Sequence, residues 1–158
     1  MNNKEILEKG LEEFLTRFES ETDQIKKLVH FNSVQNITIG LIKIWNKPEC
    51  EKLISQIREY YREIKSMNYP IDKTISASQY KKYIYPAGSY LIFNKSFITK
   101  ASFKAFMLWG LILDIVFYFI SNMYLNFYFP FFTPLFTLLG WLKQRKAIKE
   151  KRIFGIFW

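Results

Sequence analysis

Three observations predict a mainly α-helical chain that ends in a two-helix transmembrane hairpin. Residues 105–142 are thirty-eight in number, hold a single charge, Asp114, and are bracketed by lysines and arginines. Upstream, apolar side chains recur at three- and four-residue steps, the period of a helix with one buried face. Inside the apolar run, turn-forming residues gather only at Ser121–Asn126, so the run divides into two arms rather than one long helix.

Taken in order, the chain opens with Asn2 and, three residues on, Glu5, a capping pattern for a helix start. Leu7, Leu11, Phe14, Phe18, Ile25 and Leu28 then follow a four-three spacing with Glu21 in the one polar slot. The spacing predicts one helix over 3–30, with Gly10 a small cost. Its stripe, Leu7, Leu11, Phe14 and Phe18 above all, is either a coiled-coil seam that binds a partner or a second copy, or the inward face of a helical domain. Over 33–45 two patterns compete. Ile37, Ile39 and Leu41 alternate as in a strand, whereas Val34, Ile37, Leu41, Ile44 and Trp45 share a helical face with Asn32 and Ser33 as caps. A second helix is the reading favoured, because both neighbours are helical.

Lys47 and Pro48 separate that element from the next, and Pro48 with Glu49 and Glu51 suits a helix start. Cys50, Leu53, Ile54, Ile57, Tyr60, Tyr61, Ile64 and Met67 form one apolar stripe, which predicts a helix over 48–67 packed on the first. Asn68, Tyr69 and Pro70 end it. Thereafter Tyr80, Tyr83, Ile84, Tyr85 and Tyr90, Leu91, Ile92, Phe93 read as β-prone runs around a turn at Pro86–Ser89, so 71–100 is expected to be a membrane-proximal segment with a small β-hairpin.

The arms of the transmembrane hairpin are expected at about 103–120 and 126–142 within 101–142, each close to the roughly 20 residues a bilayer crossing needs. Lys95, Lys100 and Lys104 precede the hairpin and Lys143, Arg145, Lys146, Lys149, Lys151 and Arg152 follow it, while the loop has no Lys or Arg. The positive-inside bias then puts both ends in the cytoplasm, in a multi-pass protein of the cytoplasmic membrane. Residues 143–158 form a basic tail whose aromatic end returns to the bilayer interface or packs on the helical region 1–70.

Asp114 stands ten residues beyond Lys104, about 15 Å along a helix and so near mid-bilayer. With Gly110, Tyr118, Ser121 and Met107 it makes a small and polar stripe on the first arm. Asn126, Pro130, Thr133, Thr137, Gly140 and Gln144 make a matching stripe on the second. Such stripes face each other or a common interior rather than lipid. Either they pack the two helices together, with Asp114 neutral and hydrogen-bonded to a threonine or tyrosine, or several hairpins assemble so that they line a polar path, since intramembrane carboxylates are functional candidates. Pro130 and Pro134 offer the second arm a place to bend.

Charge is unevenly distributed. Residues 1–23 hold three basic and seven acidic side chains, whereas residues 24–104 hold fourteen basic and five acidic ones. The basic part adjoins the hairpin, which favours anionic lipid as its partner over a nucleoprotein complex. One cysteine, Cys50, and one histidine, His30, provide neither an internal disulfide nor a metal site. The acidic, polar start lacks the pattern of a cleavable signal. No phosphate loop, dinucleotide fingerprint or nucleophile elbow is present, so no enzyme activity and no cofactor are expected.

In layout, a cytoplasmic helical part of about a hundred residues, a two-crossing hairpin and a basic tail resemble the two-transmembrane effectors of bacterial anti-phage defence, of the retron or cyclic-nucleotide-signalling type. The resemblance implies a toxin that disrupts the membrane when a cytoplasmic partner releases it. A bacteriocin or toxin immunity protein, or a membrane anchor with a helical interaction module, is the alternative.

Overall fold

The computed structural model describes residues 2–67, 69–124 and 129–155, with the side chains of 122–124 excepted. The chain is mainly helical, as its periodicity predicts. It divides into two units, 1–97 together with 154–158, and 98–153.

The first unit begins with α1, Asn3–Phe18, whose capping box forms as expected: Asn2 Oδ1 accepts from Lys4 and Glu5 amides, and Glu5 accepts from the Asn2 amide. The single helix expected over 3–30 is broken. Thr22 takes an extended backbone and its hydroxyl accepts the Ile25 amide, capping a separate short helix α2, Asp23–Leu28. An N-cap residue leaves helical φ/ψ, so Thr22 cannot also sit inside a helix. His30, in the left-handed region at φ 52°, turns the chain into α3, Phe31–Ile42. Helix therefore prevails over strand in 33–45. Neither Asn32 nor Ser33 caps it; the Ser33 hydroxyl donates instead to the Gly155 carbonyl and accepts the Gly155 amide.

Helix α4, Cys50–Ser66, starts two residues after Pro48, which lies in the preceding turn. Its buried stripe, Cys50, Ile54, Ile57, Tyr60 and Ile64, is the predicted one. The β-hairpin expected around 80–93 is absent. In its place stand α5, Lys73–Gln79, a π-helical turn Tyr80–Ile84, and α6, Tyr85–Lys95. Two features explain the difference. Asp72 caps α5 by accepting the Ile75 amide at 2.8 Å. Downstream, Ser76, Tyr80, Ile84, Ala87 and Leu91 are buried at four- and three-residue steps, a helical period running straight through the presumed turn. Pro86 would ordinarily clash with the carbonyl four residues back. The widened turn, in which the Tyr85 amide bonds to the Tyr80 carbonyl, accommodates it at the second position of α6.

These helices enclose one core containing Leu7, Phe14, Phe18, Val34, Ile37, Ile57, Tyr60, Tyr80 and Leu91. Helix α1 packs on α3 and α4, and α3 on α6. Phe154 is fully buried in the same core, so the chain's last described residues do pack on the helical region. Gly88 makes room for it: a Cβ there would overlap the Phe154 ring. The boundary expected at residue 70 thus falls within this unit.

The second unit consists of α7, Ser102–Tyr124, and α8, Phe132–Lys149, with a short pairing of β1, Ile98–Thr99, and the first residue of β2, Ile153–Phe154, where the Ile98 amide donates to the Arg152 carbonyl. Ile98, Ala147 and Ile153 form its small buried cluster.

Candidate functional site

The helix pair α7–α8 carries Asp114, the one carboxylate of the long apolar segment 105–142, and most of the large apolar side chains exposed among the described residues, and so is the candidate site. Its two helices run antiparallel, Gly110 lying against Phe132–Phe136 and Gly140 against Phe106. Both glycines are needed for this approach. A Cβ at Gly110 would come within 2.8 Å of the Phe132 carbonyl oxygen and the Thr133 Cα, and one at Gly140 within 2.8 Å of the Phe106 Cβ. Small residues that let backbones approach are the means by which helices associate without a hydrophobic driving force.

Asp114 is 2% exposed, and both its carboxylate oxygens are engaged by the start of α8. Oδ1 accepts the Phe132 amide at 2.9 Å and Oδ2 the Thr133 amide at 2.7 Å. Helix α8 has no capping side chain of its own, so a residue from the neighbouring helix supplies the cap. The remaining first-turn positions are also satisfied: Pro134 has no N–H to donate, and the Leu135 amide bonds to the Phe131 carbonyl. A negative group at a helix N-terminus is favoured further by the helix dipole.

Outside this seam the pair is apolar. Leu108, Trp109, Leu111, Ile112, Ile115, Val116, Phe119 and Ile120 of α7 are exposed, as are Leu138, Leu139, Trp141 and Leu142 of α8. The polarity of an ordinary globular unit is therefore inverted, with carboxylate, serine and glycines inside and large apolar groups outside. At the basic end, the Lys143 ammonium lies 5.2 Å from the Phe106 ring centroid and the Arg145 guanidinium 4.3 Å from that of Trp141.

The predicted stripes are brought together in part. Gly110, Asp114, Ser121 and Gly140 are buried, and Thr133 and Thr137 half-buried. Tyr118 and Met107 are instead exposed, at the edges of a contact too narrow to cover them. Ser121 donates to the Tyr118 carbonyl of its own helix. Asn126 lies outside the described residues. Helix α8 begins at Phe132 rather than near 126, and Pro130 and Pro134 flank that start instead of bending a helix already under way.

Among the described residues, Ser102–Ser121 is the stretch long and apolar enough to cross a membrane, by length and composition, with a mean hydropathy of 1.9. The apolar part of α8, residues 132–142, is about 16 Å long, roughly half a bilayer core. Lys104, Lys143, Arg145, Lys146, Lys149 and Lys151 are exposed around the pair, and Arg152 is ion-paired with Glu150. Lys100 is half-buried, which pushes its ammonium down to about 8. Lys95 is exposed at the end of α6.

The candidate partner-binding side chains Leu7, Leu11, Phe14 and Phe18 are buried in the first unit's own core, so the α1 stripe is an inward face rather than a free seam. What stays open between α1 and α4 is a groove of about 510 Å³ floored by Phe14, Phe18, Tyr61 and Ile64 and edged by Glu13, Arg17 and Lys65. Lys65 and Glu13 pair across it at 3.3 Å.

The capping role of Asp114 depends on the backbone amides of Phe132 and Thr133, which sequence reasoning did not single out. Pro134, a residue suited to a helix's first turn, was the available signal. No family profile, no curated protein and no solved structure matches this chain.

Proposed function

We propose that this chain is a membrane-integral protein whose 102–142 hairpin holds a helical docking module at the cytoplasmic face of the membrane. The observation that carries this reading is the inverted helix pair: apolar side chains face outward while Asp114 closes the start of α8. In a bilayer no water can satisfy first-turn amides, so an internal cap is what a helix beginning at membrane depth requires. Helix α7 supplies the full-length arm. The shorter α8 accompanies its inner half, and the lysines and arginines at 143–152 hold both flanks on the cytoplasmic side. The module's partner is a cytoplasmic protein, and the open groove between α1 and α4 offers it a concavity of about 510 Å³.

A second reading makes the hairpin an effector that disrupts the membrane when the partner lets go, in keeping with the layout of two-transmembrane anti-phage effectors. What favours it is the unequal length of the two helices, because a helix that reaches only half-way disturbs lipid packing around it. Toxin immunity is a third use of the same anchor. Membrane potential and dye entry, followed in cells induced to express the chain alone beside a hairpin-deleted control, separate the readings. A steady potential with the protein recovered in the membrane fraction fits the anchor or immunity protein; rapid depolarisation that needs the hairpin makes the chain an effector. Recovery as a soluble protein defeats all three.

A further inference from the structure

Exposed apolar residues in the first unit are not scattered. Among its described residues, the large apolar side chains open to solvent are Tyr69, Ile75, Tyr85 and Phe93, and α1 to α4 contribute none. Three of the four lie on the continuous helix formed by α5, the π turn and α6. Along that helix Ser78, Lys82 and Phe93 are exposed two positions beyond the buried Ser76, Tyr80 and Leu91, about 200° round the axis and so on the opposite side, while Lys81 and Tyr85, one position beyond Tyr80 and Ile84, stand at the edge of that side. Phe93 is 88% exposed.

The same segment has a one-sided charge. From Lys73 to Leu113 the chain holds six lysines and no aspartate or glutamate, and Lys73, Lys81, Lys82 and Lys95 are all exposed. Six residues, 96–101, separate Lys95 from the start of α7 in the chain. Of these lysines, Lys81 and Lys82 stand on or beside the face that carries Phe93 and Tyr85, and lysines beside aromatic side chains on one helix face are the composition of a surface that lies in a lipid headgroup layer.

We infer that the outer face of the 73–95 helix is a docking surface for anionic lipid headgroups, with Phe93 and Tyr85 entering the interface and Lys81 and Lys82 binding the headgroup phosphates. The inference rests on the proposed membrane placement of 102–142. Single-stranded nucleic acid would need several rings presented for stacking. Tyr80 is buried and Tyr83 and Tyr90 are half-buried, so the surface offers few.

The test uses the full chain in a Cys50→Ala background, reconstituted into vesicles of phosphatidylcholine alone or of phosphatidylcholine with phosphatidylglycerol. Spin labels are placed singly at Phe93→Cys and Ile115→Cys, and collision with oxygen is compared with collision with a water-soluble nickel chelate. The expected result is oxygen-rich, nickel-poor surroundings for position 115 in both vesicles, and for position 93 only when phosphatidylglycerol is present. Adding Lys81→Gln and Lys82→Gln should lower the docked-to-undocked ratio at position 93 by roughly 30-fold, two headgroup contacts' worth. Nickel access at 93 in both vesicles, with 115 still in lipid, overturns the inference and leaves the hairpin reading intact. Shielding at 93 that ignores lipid composition, or that follows added oligothymidylate instead, also overturns it, in favour of a protein or nucleic-acid partner. Nickel access at 115 removes the hairpin reading and the inference together.

Discussion

Replacing Asp114 tests the central structural claim, that this carboxylate is a helix cap and not a lone intramembrane charge. Two amides, Phe132 at 2.9 Å and Thr133 at 2.7 Å, donate to it. Asp114→Leu removes both acceptors, whereas Asp114→Asn keeps one carbonyl oxygen and loses the other. Hydrogen bonds to a charged acceptor each shift a closing equilibrium by about tenfold or more. The start of α8 should therefore open about tenfold more often in the Asn variant and on the order of a hundredfold more often in the Leu variant. Hydrogen exchange of the full chain in lipid nanodiscs reads this directly at the Phe132 and Thr133 amides, with Ile115→Leu, on the exposed face of α7, as the control. Graded acceleration confined to the first turn of α8 is the expected result. Wild-type exchange at both amides in the Leu variant would refute the capping argument, and equal acceleration in both variants would refute the two-bond account of it.

Other outcomes follow from the same geometry. Gly110→Ala should splay α7 from α8, since its Cβ meets backbone atoms at 2.8 Å, and Gly10→Ala should cost the first unit about 1 kcal/mol, because its Cβ would meet at 2.7 Å a Tyr61 ring held by its hydroxyl's 2.7 Å bond to Thr38, which outweighs the gain in helix propensity; disulfide trapping between cysteines placed on α7 and α8 reports the first, and thermal unfolding the second. Tyr60→Phe removes the buried 2.8 Å bond to the Val29 carbonyl and should cost about 1–2 kcal/mol in a denaturant titration of the first unit's signal. Lys100, with its ammonium pushed down to about 8 from 10.5, has shed a proton in the folded chain that the unfolded chain still holds between those values, so its contribution to stability should rise with pH across that window and be flat below it. The wild-type minus Lys100→Met difference in unfolding free energy isolates this from the loss expected above pH 10, where burial keeps Tyr60 and Tyr80 protonated, Tyr80 up to about 12.

The helical class and most helices were legible because period, caps and punctuation agree locally. The Asn2–Glu5 capping box, the 50–64 stripe and the apolar run of α7 each state their structure within one or two turns of chain. What misled was a local signal overruled by a neighbour. Tyrosine-rich runs around Pro86–Ser89 carry β propensity, but their side chains at 80, 84, 87 and 91 fill a helix-lined core, and a π turn absorbs the proline. Thr22 sits in a continuing apolar pattern and nevertheless ends it, because its hydroxyl caps the next helix.

For the candidate site, the amino-acid sequence by itself determined that a carboxylate and a set of small residues would stand in an apolar, basic-flanked segment. Composition and period are properties of the chain. Only the tertiary structure decided what the carboxylate does there, because its partners are backbone amides eighteen and nineteen residues away, and every residue but proline has such an amide. Which one is left open depends on where α8 begins, and that is settled by the approach of Gly110 to Phe132 and Thr133 across the helix pair.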